Sequence, residues 1–295
     1  MISVPLLKQT IKSNFGLWIV STLTVSLLYT IIKIAVGSIV VSGSTDPNAL
    51  LPYIQALAAA GLTLENLFIT IGINPDILSG LASMDSNVLI SMIFYPVVGV
   101  LLPLVYTVIV GNKLFANQID RGSLAFVLST PIKRSKIAIT QMSYFVLSIA
   151  FMFIFVTGVD VILTVTIDNS LELEKILLLN LGLSLFTLAM ASITFMFSAI
   201  FNYSKHSLSL SGGFALLFFI SKILGLFGSD LFMNMGIGIE PMGFFNKITM
   251  ISLINTTSIL DGTSDFILQF VILVLISIIC FTTGSIWFTK KDIPV

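Results

Sequence analysis

The chain has 295 residues, 56% of them hydrophobic and only 9% charged, and its mean hydropathy is +1.08. A soluble domain carries about 25% charged residues, so a cytosolic enzyme is excluded, as is a disordered chain, which needs low hydrophobicity and high charge. Fourteen acidic and 14 basic residues cancel to a net charge of zero, leaving no global footprint for nucleic acid.

A helix needs about 20 apolar residues to cross the hydrocarbon core, and six stretches approach or exceed that length. The first runs over residues 17–41, after an amphipathic start in which Leu6, Leu7 and Ile11 alternate with Lys8 and Lys12. It is too long for a signal-peptide core and no A-x-A site follows it, so it is expected to remain in the mature protein. An external loop, 42–87, has no Lys or Arg and holds an apolar stretch from Leu50 to Ile73 broken by Pro52, Gly61 and Gly72. Surface-lying or re-entrant helices are expected there. The second span, 88–110, carries Pro96, Gly99 and Pro103, read as a kink. The third covers 139–165 and the fourth 176–200. The fifth, 208–227, opens on Ser207, Ser209, Ser211, Gly212 and Gly213; small residues let helices approach closely, so a helix interface or a polar lining to a pathway is expected. The loop 228–265 is mostly apolar (Phe232, Met233, Phe244, Phe245, Ile251) and is expected to dip into the membrane or pack on the spans. The sixth span is 266–289.

Uninterrupted apolar runs favour helices over a barrel, whose strands alternate. Orientation follows from the basic residues. With the amino terminus in the cytoplasm, ten bases (Lys8, Lys12, Lys113, Arg121, Lys133, Arg134, Lys136, Lys205, Lys290, Lys291) lie inside and Lys175 and Lys247 outside. Of the acids beyond the spans, Asp120 and Asp292 alone are internal. Within the spans stand Lys33, Asp160 and Lys222, each in the outer third of its helix. Ionisable groups at such depth are functional candidates: if the first, third and fifth spans meet, the three form a charged outer gate. Otherwise each snorkels to the headgroups. His206 is read as a headgroup anchor. Cys280 and His206 are the sole members of their types, which allows no intramolecular disulfide and no Cys/His metal cluster. HExxH, G-x-S-x-G and P-loop patterns are absent, so no catalytic residue, metal or cofactor is expected on this chain.

The internal loop 111–138 contains Asn117-Gln-Ile-Asp-Arg-Gly-Ser-Leu-Ala-Phe-Val-Leu-Ser-Thr-Pro-Ile-Lys-Arg-Ser-Lys-Ile137. Gly122 suits the end of one helix, Ser123 suits the N-cap of a short apolar-sided helix from Leu124 to Leu128, and Thr130 with Pro131 suits the start of another. This stretch resembles the signature loop of type-2 ATP-binding-cassette (ABC) permeases, the membrane subunits of many bacterial exporters. Phe288-Thr-Lys-Lys-Asp-Ile-Pro-Val295 resembles their usual ending. Gln118 stands near a position where relatives often carry glutamate, and the first external loop is longer than theirs.

The resemblance implies an all-α membrane protein of six transmembrane helices, both termini cytoplasmic, with an N-terminal interfacial helix and a cytoplasmic coupling helix. It implies a multi-pass permease in a prokaryotic plasma membrane that exports a hydrophobic or amphipathic substrate (peptide, drug or lipid). ATP and Mg would be bound by a separate ABC ATPase subunit, met at Gln118, Asp120, Arg121, Gly122, Ser123, Leu124, Phe126, Leu128 and Pro131. A second permease chain, identical or different, and membrane lipids are the other implied partners. The alternative reading is a self-sufficient secondary carrier or channel, which favours inverted repeats, broken helices and mid-membrane charges.

Overall fold

A computed structural model describes residues 2–41, 94–167, 173–229, 232–233 and 238–292 of the chain; the first external loop and residues 88–93 of the second span lie outside them. Helix α1 (Val4–Val41) is followed by a π-helical segment, Phe94–Val98, that runs into α2 (Gly99–Leu114). Two short helices come next, α3 (Ala116–Asp120) and α4 (Ser123–Leu128). Then come α5 (Arg134–Ile167), α6 (Leu173–Ile200) and α7 (Ser204–Leu226). After short helical turns at Glu240–Phe244 and Met250–Leu253, flanking α8 (Phe245–Ile248), the chain enters α9 (Thr256–Leu260) and α10 (Asp265–Lys290). Six helical spans are long and apolar enough to cross a membrane, and the described residues form no strand. The expected six-span, all-α architecture is the one observed. The reason is physical: in hydrocarbon each backbone N–H and C=O must be satisfied within the segment.

The helices overrun the apolar runs. α5 begins at Arg134 rather than 139, and α7 at Ser204 rather than 208. Hydropathy marks the hydrocarbon layer, whereas backbone bonding continues into the interface. α1 is the extreme case, 38 residues without a break, or ~57 Å at 1.5 Å per residue, against a core of about 30 Å. Its amphipathic first turns are thus continuous with the span.

α6 sits at the centre, packed on α10, α2, α5 and α7. It buries 67% of its apolar window, α2 buries 61%, and the other spans bury 22–33%. The close packing relies on missing side chains. At Gly111 of α2 an added Cβ would lie 2.5 Å from Thr194 Oγ1, and at Gly182 of α6 it would lie 2.9 Å from Phe270 Cε1. α1 lies beside α5 in parallel: Trp18 Nε1 donates to the Ser148 carbonyl at 2.8 Å, and further along Lys33 meets Asp160 at 3.0 Å.

The described part of 228–265 packs on the spans, one of the two arrangements expected for so apolar a loop. Asn246 Nδ2 donates to the Gly225 carbonyl at 2.7 Å and Thr249 Oγ1 to the Phe218 carbonyl at 2.7 Å. Ile251, Ile254 and Ile259 of this segment are themselves buried. Asn255 caps α9 by accepting from the Ser258 N–H at 3.2 Å.

Candidate functional sites

The end of the bundle that carries Lys113, Arg121 and Lys136 holds the loop singled out in the sequence. α2 stops at Leu114 because the backbone turns out of helix at Phe115 (φ −134°, ψ −63°). The Ser198 hydroxyl of α6 fills the break: it accepts from the Phe115 and Ala116 N–H groups at 3.3 and 3.0 Å and donates to the Asn112 carbonyl at 3.3 Å. A side chain inserted into the helical ladder is a recognised cause of a kink. α3 ends at Asp120, and the turn that follows is made at Gly122, whose φ of +69° disfavours any residue with a Cβ, and whose N–H donates to the Ile119 carbonyl at 2.9 Å.

Two local expectations need correction. Ser123 does not cap α4; it is the first helical residue, and its hydroxyl donates back to the Gln118 carbonyl at 3.2 Å. The turn between α3 and α4 is so tight that Gly122 occupies the capping position itself. Nor does Pro131 begin the next helix. Thr130 Oγ1 bonds back to the Val127 carbonyl, and α5 starts at Arg134.

The loop divides into an anchored and a free face. Leu124 is 1% exposed and Leu128 packs partly against the core, whereas Phe126 is 80% exposed. Arg121, Ser123 and Pro131 are exposed. Asp120 Oδ2 accepts from the Ser204 N–H at the start of α7, at 3.4 Å, where a helix N-terminus favours an anion. Gln118 Nε2 donates to the Lys113 carbonyl at 3.2 Å. Beside α4 opens a polar groove of about 500 Å³, walled by Gln9, Ser13 and Asn14 of α1 and by Lys113, Gln118 and Arg121. The last turn of α10 closes this end. Lys291, half-buried, donates to the Ala199 and Ile200 carbonyls at 3.1 and 2.7 Å, and burial pushes its ammonium down to about 8.

At the opposite end Lys33 and Asp160 form an ion pair with side chains 5% and 0% exposed. Asp160 Oδ1 accepts from Tyr29 and from Lys33. Its Oδ2 accepts from Tyr95 at 3.0 Å and from Asn180 at 2.7 Å. Lys33 also donates to Thr164 and to the Tyr29 hydroxyl at 3.3 Å, and its ammonium lies 5.4 Å from the centre of the Tyr29 ring. Four elements meet here: α1, the π-helical segment, α5 and α6. The carboxylate has four donors around it, one of them the Lys33 cation, as a charge so deeply buried requires. Asp160 and Asn180 each lie about seven residues, or ~10 Å, inside the helix ends that face this side.

Lys222 does not join them. α7 packs on α2, α6 and the 240–253 segment, and among the described residues Lys222 forms no ion pair with Asp160. The first and third spans meet as the gate required; the fifth stays apart. Ser207 and Ser211 are buried within the chain, Ser211 donating to the Ser207 carbonyl at 2.6 Å. Gly212 lies against Val108, whereas Gly213 faces open space. Tyr29, Tyr95, Thr164 and Asn180 were not anticipated. Their signal was available in part, since Tyr29/Lys33 and Asp160/Thr164 are both four apart on one helix face.

No curated protein and no solved structure matches the chain. A family model described as "ABC-2 family transporter protein" matches residues 7–293. The chain therefore belongs to the ABC-2 transporter family, as a multi-pass membrane permease subunit of an ABC transporter.

Proposed function

We propose that this permease exports a hydrophobic or amphipathic substrate across a prokaryotic plasma membrane, driven by ATP hydrolysis in a separate ATPase subunit. The observation that carries the reading is α4, which buries Leu124 and leaves Phe126 80% exposed beside a polar groove. A large apolar side chain held out at the polar end of a membrane protein suits a partner pocket. Arg121, exposed one turn away, supplies charge at the rim, while Gly122 sets the angle between α3 and α4. In this reading the basic end is cytoplasmic, Gln118 to Pro131 meet the ATPase, and two permease chains form the pathway.

The opposite network is the outer closure: Lys33 and Asp160 hold α1 against α5 and α6 until the pathway opens. Lys222 is left to the outer headgroups.

The test is reconstitution with a purified ABC ATPase from the same organism, taken first from any gene that neighbours the permease gene. The permease is expected to bind it and to stimulate its MgATP hydrolysis in liposomes, and Arg121→Glu with Phe126→Asp is expected to abolish both. A chain that neither binds nor stimulates the ATPase would sink the proposal and favour a self-sufficient carrier.

A further inference from the structure

We propose that the last turn of α10 is a positioning element that clamps both ends of the 115–134 loop. This rests on reading that loop as the segment that couples to the ATPase. At the entrance, Phe288 stacks on Phe115 with ring centres 4.2 Å apart and planes inclined by 28°. Both rings are fully buried, and Phe115 is the residue at which α2 leaves helical geometry. Phe195 of α6 closes on Phe115 edge-on at 5.1 Å, and Phe281 packs on Phe195 at 5.2 Å. The break is thus held by Ser198 on its polar side and by four aromatic rings on its apolar side.

At the exit, Arg134 Nη1 donates to the backbone carbonyl of Lys291 at 2.7 Å. Lys291 presents that carbonyl because its own backbone has turned extended (ψ 139°) after α10 ends. Its ammonium meanwhile caps the last carbonyls of α6, groups that no intrahelical N–H can reach and that favour a cation. α6 is also the helix whose Ser198 sits in the break. The last turn of α10 and the residue that ends it therefore touch the loop where it leaves α2 and where it enters α5. Between these points lies α4, with Phe126 exposed. A push at Phe126 reaches α2 and α5 only if both ends of the loop are held rigidly to the bundle. Phe288 and Lys291 fix them.

The test combines motion and coupling. A nitroxide is placed at Ser129→Cys, at the exposed end of α4, in a Cys280→Ser background, and Lys291→Met, Lys291→Arg, Phe288→Leu and the parent are compared in liposomes. Met keeps the aliphatic stem but not the donor, Arg keeps a donor, and Leu keeps apolar volume without the stack. Label mobility and permease-stimulated MgATP hydrolysis are measured on the same samples. Lys291→Met and Phe288→Leu are expected to mobilise the label and cut the stimulation at least fivefold, with Lys291→Arg close to the parent. An unmoved label in both variants overturns the clamp, and so does a mobile label with stimulation intact. If the parent itself gives no stimulation, the transporter reading fails, and the label alone then decides whether the last turn of α10 anchors the loop.

Discussion

Replacing Asp160 by asparagine removes one charge from a site where water cannot substitute for it. The carboxylate is 0% exposed and the Lys33 ammonium lies 3.0 Å away. The amide keeps the shape but turns one oxygen into a donor. That donor must face either Tyr29 and Lys33 or Tyr95 and Asn180, which all donate to the carboxylate, so a hydroxyl or the Asn180 amide must turn round to accept it. Removing one partner of a buried ion pair costs about 3–5 kcal/mol, and turning Tyr95 or Asn180 round restores a hydrogen bond but leaves the Lys33 charge unpaired. Lys33→Met leaves the carboxylate with three neutral donors and is expected to cost somewhat less. The double variant no longer strands a charge, so the two costs should overlap by about 2 kcal/mol, within the range of coupling seen for contacting residues. The assay is equilibrium unfolding from mixed micelles by SDS titration, followed through Trp18 and Trp287, the two tryptophans of the chain. Costs that add to within ~0.5 kcal/mol, the behaviour of independent sites, would refute the pairing as an energetic unit.

Other expectations follow from the same packing. Gly111→Ala should destabilise by about 1–3 kcal/mol, as overpacking does, because its Cβ would meet Thr194 at 2.5 Å; Gly213→Ala, with nothing within 4 Å, should be neutral in the same titration. Leu124→Ala, at a fully buried position, should cost about 2–5 kcal/mol, whereas Phe126→Ala should leave stability unchanged and weaken ATPase binding in a pull-down with the purified subunit. Gly122→Ala should cost on the order of 1 kcal/mol for its left-handed backbone and reduce stimulation of the ATPase, with φ at +69° as the cause.

The spans were legible because a bilayer imposes one length on every crossing segment, and hydropathy measures that length. Their true ends were not, since Arg134 and Ser204 start helices whose first turns lie outside the apolar layer. Lys33 and Asp160 stood out as charges at membrane depth, but Tyr95 and Asn180 did not. Neutral polar residues are common in spans, and the convergence of these two on Asp160 depends on where the π-helical segment and α6 sit relative to α5. Grouping Lys222 with them needed a helix arrangement that one-dimensional depth cannot supply. In the loop, Gly122 was readable because a positive φ has few occupants. Ser123 was not, because the same serine suits an N-cap or a back-bond to Gln118, and only the tightness of the α3–α4 turn decides.

α1 joins the two ends of the molecule without interruption. Gln9, Ser13 and Asn14 on its first turns wall the groove beside α4, and Lys33 is held by Asp160 some 20 residues later, ~30 Å further along the axis at 1.5 Å per residue. An α-helix resists compression along its length far more than it resists tilting, so the helix behaves as a pushrod. A shift of its first turns by one ångström must either be absorbed as tilt against α5 or arrive at Lys33 nearly undiminished. There, a hydrogen-bond network with no slack in it would feel the shift as a change of partner.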